Sequence, residues 1–116
     1  MSMPKVDGGK TVRIVLRGCG ETAAGGLSDQ GFVEWSAIEL CRVLGMTAVG
    51  DTVTRVIAPG LSTVLVIAES HIAIHTWPES SSVRVIIDSC VDFNDKAAAE
   101  WLNDTFSSAA YNVFLV

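Results

Sequence analysis

The run Ala68-Glu69-Ser70-His71-Ile72-Ala73-Ile74-His75-Thr76-Trp77-Pro78-Glu79 concentrates reactive side chains. Ser70 follows a long apolar segment, and His75 comes five residues later. A serine and a histidine form a nucleophile–base pair when their side chains meet. They are two ordinary strand residues when they do not, and spacing alone does not choose between the two. Cys90 stands at the end of a later strand candidate. It is either a small buried apolar residue or, if partly exposed near charges, a thiol with a tuned pKa. Cys19 and Cys41 complete a set of three widely spaced cysteines. With no CxxC and no Cys/His spacing of the zinc type, no metal site is expected. Free thiols suit a reducing compartment.

The elements that must hold these residues follow from periodicity. Residues 1–10 read as a loose arm. Thr11 to Leu16, rich in β-branched residues, reads as a first strand. The glycine-rich segment Gly18 to Gly26 reads as a loop. Ser28 or Asp29 can cap a helix that runs to Leu44, with Val33, Ala37, Leu40, Cys41 and Leu44 inward and Gly45 as its stop. Thr47 to Ile57 reads as a second strand with a bend at Gly50-Asp51, and Pro59-Gly60 as a turn. Leu61 to Ala68 is so apolar that burial on both faces is expected. His71 to His75 alternates, with His71, Ala73 and His75 on one face and Ile72 and Ile74 on the other. Pro78 to Ser82 is a turn. Val83 to Cys90 is a strand with Arg84, Ile86, Asp88 and Cys90 on one face. Asn94 can cap a second helix to Ser107 with Ala98, Trp101, Leu102 and Thr105 inward, and Tyr111 to Leu115 closes as a strand. The predicted order is β-α-β-β-β-α-β. The fold class is α+β: a two-layer α/β sandwich, a mostly antiparallel sheet with two helices on one face.

Composition sets the outer limits. A chain of 116 residues is one domain, 1–116, without repeat or linker. Its 49% apolar and 18% charged residues argue against disorder and suggest that an apolar surface is covered by a second copy. A net charge of −5 argues against nucleic acid and mildly favours a cationic small molecule. Met1 to Lys10 has no signal-type apolar run, and no segment reaches membrane-spanning length. No membrane partner is expected, and the default location is cytoplasmic.

The stretch AESHIAIHTWPE resembles the motif around the self-processing site of the bacterial and archaeal S-adenosylmethionine decarboxylases, which reads ESH-hydrophobic-x-IHTWPE. Two outlying positions agree. Gly60-Leu61-Ser62 puts Ser62 eight residues before Ser70, and Cys90 lies twenty residues after it. The resemblance is strong over 55–90 and weaker in the helices. It implies a self-processing, pyruvoyl-dependent decarboxylase of polyamine biosynthesis. Ser70 would attack the preceding carbonyl to give an ester, and elimination and hydrolysis would leave a covalent pyruvoyl group. The cut between Glu69 and Ser70 would give a β chain 1–69 and an α chain 70–116. By the same resemblance, His75 removes the Ser70 α-proton, Ser62 assists processing, and Cys90 reprotonates the substrate carbon. A Schiff base between pyruvoyl and substrate would act as the electron sink. Glu79 resembles a substrate-contacting carboxylate; its other reading is a solvated turn residue. His71 is equally well a packed strand residue, and Trp77 and Pro78 are architecture. A homodimer of processed αβ units, with sites near the interface drawing on both subunits, is also implied.

The departures fall where the family holds its substrate. Against a family segment of the form His-Arg-Phe-x-Pro-x-Gly, the chain has Thr54-Arg55-Val56-Ile57-Ala58-Pro59-Gly60. Val56 therefore stands in place of the Phe that stacks on adenine, forfeiting about 1 kcal/mol of aromatic contact. Ser80-Ser81-Ser82-Val83 replaces a Tyr-Gly-Tyr-Ala segment. Ile86 replaces an Asp four residues before the Cys, Asp88 is new, and Val91 replaces a Gly. Asp88 can pair with a distal ammonium or guanidinium, or it is an exposed strand-end charge. Three readings follow: decarboxylation of S-adenosylmethionine, ranked first; decarboxylation of ornithine or arginine by the same chemistry; and a non-catalytic relative acting as a binding partner.

Overall fold

A computed structural model of the chain describes residues 9–116. Alternation and caps explain most of its elements. β1 (Lys10–Arg17) leads through a glycine-rich loop to α1 (Gln30–Val43). The Asp29 side chain caps α1 by accepting from the Phe32 N–H at 3.0 Å. The helix ends on Gly45, whose φ of +70° is the left-handed conformation that a side chain resists. There the Met46 N–H reaches the Cys41 carbonyl and the Gly45 N–H the Arg42 carbonyl, which satisfies the last turn. β2 (Val53–Ile57), β3 (Gly60–Ile67), β4 (Ser70–Trp77) and β5 (Ser82–Ser89) follow as a meander, with a short 3-10 turn at Pro78–Ser80. Asn94 caps α2 (Asp95–Thr105), and β6 (Ala110–Leu115) closes the chain. None of the described helices is long and apolar enough to cross a membrane.

The six strands form one antiparallel sheet in the order β2-β3-β4-β5-β1-β6. Both helices lie on one face, as the fold class predicts. Val12, Ile14, Leu16, Leu65, Ile72, Ile74, Val83, Val85 and Ile87 point toward them and are fully buried. From the helices come Val33, Ala37, Leu40, Cys41, Ala98 and Leu102, with Leu44 and Trp101 packed at the rim. Phe106, just past the end of α2, is fully buried and was not in the expected inward set.

Three expectations are corrected. The predicted order is one strand short: four strands lie between the helices, one for each of the four extended segments read there, with the turn at Ala68-Glu69 joining β3 to β4. The second strand is short: only Val53–Ile57 pairs continuously, and the segment before it makes one isolated bridge, Ala48 to Ile67. β3 is not buried on both faces. Leu61, Leu65 and Ile67 are covered by the helices, but Val66 on the other side is 49% exposed. The apolar run reflects a second sheet face that the helices do not cover, where Val66, Val53, Ile57 and Phe114 are exposed among polar residues such as Arg55, His75 and Arg84. Of the loose arm expected over 1–10, residues 1–8 lie outside the described part, and Lys10 already belongs to β1.

The start of β3 is held tightly. The Leu61 N–H donates to Thr76 Oγ1 at 3.1 Å, and that hydroxyl donates to the Leu27 carbonyl at 2.9 Å. A Cβ on Gly60 would meet the Thr76 carbonyl oxygen at 2.3 Å. Backbone must move to admit it, so Gly60→Ala is expected to destabilise the fold by about 1–3 kcal/mol. Urea unfolding of the two chains compared side by side measures this.

Candidate active site

Two clusters of candidate residues sit at opposite ends of the β3–β4 hairpin. At the tip, Ile67 pairs with Ser70, so Ala68 and Glu69 alone make the turn. Glu69 takes a φ of +69°, a left-handed conformation for a residue with a side chain, disfavoured by about 1–2 kcal/mol. The residue at the expected cut is therefore held in an unfavourable backbone state by a two-residue loop. Ser70 opens β4 and lines a cavity of about 410 Å³ with Glu69, Asp88, Cys90, Thr11 and Lys10. β5 brings Asp88 opposite His71 on one side and Thr11 on the other.

The polar contacts in this cavity are specific. Thr11 Oγ1 donates to Asp88 Oδ1 at 2.6 Å, and His71 Nδ1 lies 4.0 Å from Asp88 Oδ2. Hydrogen bonds from Thr11 and Ser70 hold the Asp88 carboxyl below its ordinary range, with the nearby His71 adding to the effect. The Cys90 thiol donates to the Glu69 carboxylate. That hydrogen bond, then burial and the Glu69 charge, push the thiol pKa up, which keeps Cys90 protonated. A protonated thiol is the form that can deliver a proton.

At the base of the hairpin, Ser62 pairs directly with His75, and Ser62 Oγ lies 2.8 Å from His75 Nδ1. Burial, and then the Arg84 guanidinium on the neighbouring strand, lower the His75 pKa. The imidazole is thus neutral near pH 7 and able to take a proton. Ser62 and His75 line a cavity of about 280 Å³ with Glu79, Trp77, Ile57 and Pro59. Arg84 lies over the Trp77 ring at 5.3 Å.

The expected residues thus fall into two groups: Glu69, Ser70, Cys90 and Asp88 at the tip, and Ser62, His75 and Glu79 at the base. Ser70 and His75 do not meet within one subunit. Five residues along a strand separate their Cα atoms by roughly 16 Å, and the hydroxyl that His75 touches is that of Ser62. Val56 joins neither group. It is 59% exposed on β2, and its neighbour Ile57 lines the base cavity instead. Asp88 keeps a part-exposed side chain, with Oδ1 bonded to the Thr11 hydroxyl and Oδ2 4.0 Å from His71 Nδ1. Thr11 and Arg84 are functional neighbours that sequence reasoning missed. Both look like ordinary alternating strand residues until register sets them beside Asp88 and His75.

Comparison with known proteins gives one family. A profile described as S-adenosylmethionine decarboxylase matches residues 15–116. An S-adenosylmethionine decarboxylase proenzyme of Pseudomonas paraeruginosa is 37% identical over 91 residues, which cover 78% of this chain and 55% of that protein. Proenzymes of the same name from Acidithiobacillus ferrooxidans and Methanococcus vannielii are 35% and 34% identical, covering 71% of this chain in each case and 62% and 65% of their own lengths. The matched part of this chain therefore spans between about half and two thirds of these relatives. In fold, the chain is similar to the crystal structure of the adenosylmethionine decarboxylase from Aquifex aeolicus, with a TM-score of 0.73 over 93% of this chain and 88% of the other, at 22% identity.

Proposed function

We propose that this chain, which belongs to the S-adenosylmethionine decarboxylase family, cuts itself between Glu69 and Ser70 and decarboxylates S-adenosylmethionine with a pyruvoyl group formed from Ser70. The observation that carries the reading is the tip of the hairpin. A left-handed glutamate precedes a serine that opens a strand inside a polar cavity, and the Cys90 thiol, bonded to that glutamate, lines the same cavity. The pyruvoyl ketone would supply an electron sink for loss of CO2. The residues at hand fit such a group, since Ser70 is half-buried and lines a cavity open to a small ligand that carboxylates and a thiol also line. Cys90 would hold the proton that replaces the departing carboxyl, and Glu79 would contact the substrate. The family match favours S-adenosylmethionine over ornithine or arginine as the substrate.

The working unit in this reading is a homodimer of cut chains. Ser62 and His75 are needed at Ser70, yet each subunit keeps them roughly 16 Å away along the strand. A second copy can close that gap by laying its own base cluster against the first copy's tip. The bare sheet face supports this partner, because Val53, Ile57, Val66 and Phe114 are exposed on the side opposite the helices. Such a surface is one that self-association covers.

The test is intact mass spectrometry of the purified protein, followed by CO2 measurement with S-adenosylmethionine, ornithine and arginine. The expected result is two fragments split at Glu69/Ser70, with a blocked terminus on the second, and CO2 from S-adenosylmethionine alone. A whole chain that releases no CO2 would favour a non-catalytic binding role.

A further inference from the structure

Given self-cleavage at Glu69–Ser70, the geometry points to Asp88 as the group that holds the Ser70 hydroxyl and takes its proton in the first step of the cut. The base is thus supplied by the same subunit as the nucleophile. The two steps of processing would then draw their proton acceptors from opposite ends of the hairpin.

The sheet register makes the case. Asp88 sits on β5 between β4 and β1, directly across from His71 and Thr11. Its Oδ1 is fixed by the Thr11 hydroxyl at 2.6 Å. That anchor fixes the carboxylate in the cavity that Ser70 lines, and hydrogen bonding from Ser70 contributes to keeping it ionised. Of the other candidates, Cys90 and His75 are hydrogen-bonded elsewhere and His71 lies against Asp88 itself. The Cys90 thiol is bonded to Glu69 and kept protonated. His71 Nδ1 faces Asp88 Oδ2 at 4.0 Å. His75 is bonded to Ser62, five residues along the strand.

The step balances without a co-reactant. Ser70 Oγ attacks the Glu69 carbonyl carbon, and its proton passes to the Asp88 carboxylate. The new C–O bond forms as the C–N bond to Ser70 breaks, and Asp88 returns the proton to the departing nitrogen, which becomes an amine. The product is an ester between Glu69 and Ser70. The left-handed Glu69 favours the step, since exchanging amide for ester loosens a turn held in an unfavourable conformation.

The experiment is cell-free synthesis of the full chain, followed by a chase in which the whole precursor and the 70–116 fragment are separated on a gel. Asp88→Asn keeps the size and loses the proton acceptor. It is expected to slow cutting about 100-fold, within the range for a lost general base, and Asp88→Glu is expected to restore part of the rate. Hydroxylamine, which cleaves esters, should not speed the Asn variant, because no ester accumulates. Thr11→Val removes the anchor but not the carboxylate and should slow cutting less than about tenfold. Asp88→Asn cutting at the parent rate would overturn the proposal and leave self-cleavage standing. Hydroxylamine-sensitive ester in that variant, or equal losses in the Asn and Val variants, would also overturn it, by placing Asp88 in a later step or in a structural role. A parent chain that stays whole would remove self-cleavage itself, and this role with it.

Discussion

A chain carrying Ser70→Ala is expected to stay whole and to release CO2 from S-adenosylmethionine at least about a thousandfold more slowly than the parent chain, down to background. Two losses combine in one substitution. Without Oγ there is no nucleophile to attack the Glu69 carbonyl, so the cut cannot begin. Without the cut there is no ketone to accept electrons as CO2 leaves. The fold should tolerate the change, since Ser70 is half-buried at the start of β4 and the ladder bonds of the hairpin are made by backbone. Intact mass distinguishes the outcomes, because the alanine chain should run as one species of full length. Fragments from that chain would assign the cut to another agent, and retained CO2 release would remove Ser70 from the chemistry.

Co-expression of Ser70→Ala and His75→Ala chains is expected to restore cutting and decarboxylation that neither chain has alone. Each variant by itself breaks every site, one by losing the nucleophile and the other by losing the base-cluster imidazole. If a site takes Ser70 from one subunit and His75 from its partner, a mixed dimer contains one site with both residues and one with neither. Random pairing makes half of all dimers mixed, so about a quarter of the parent sites should return. The prediction follows from strand geometry. His75 is bonded to Ser62 and lies roughly 16 Å from Ser70 within a subunit. No rotamer of an imidazole spans that distance. Mass spectrometry would show cut chains derived only from the His75→Ala parent. Zero recovery despite confirmed mixed dimers would mean that each subunit completes its own site.

Periodicity exposed the layers of this fold well and its pairings poorly. Alternation in Val83 to Ser89, and the helical spacing of Val33, Ala37, Leu40 and Cys41, identified the buried faces, because burial acts on each element separately. The Asp29 and Asn94 caps were visible because a cap is a local bond between a side chain and an N–H three residues on. The contents of the site depend on register between strands distant in sequence. Thr11 meets Asp88 across 77 residues, and nothing near either residue marks the meeting. The same blindness left open whether Ser70 and His75 meet: five residues are close in sequence, but in an extended strand they occupy opposite ends. The extent of β3 burial was misjudged for a related reason. An apolar residue signals that a surface avoids water, and Val66 does not say whether a helix or another molecule covers it.

The order of the sheet has a consequence for what a cut chain becomes. β1, β2 and β3 lie before Ser70, and β4, β5 and β6 after it. In the sheet they do not separate into two blocks. The order β2-β3-β4-β5-β1-β6 places β1 between two strands of the later piece. Scission at the hairpin tip would therefore yield two polypeptides woven through one another along three hydrogen-bonded seams: β3 with β4, β5 with β1, and β1 with β6. The halves could not drift apart without unravelling the sheet. Once unfolded, they would have to find each other by diffusion, so recovery would become bimolecular and slow on dilution. A single broken peptide bond would turn a self-contained fold into an obligate two-piece assembly whose durability depends on never opening.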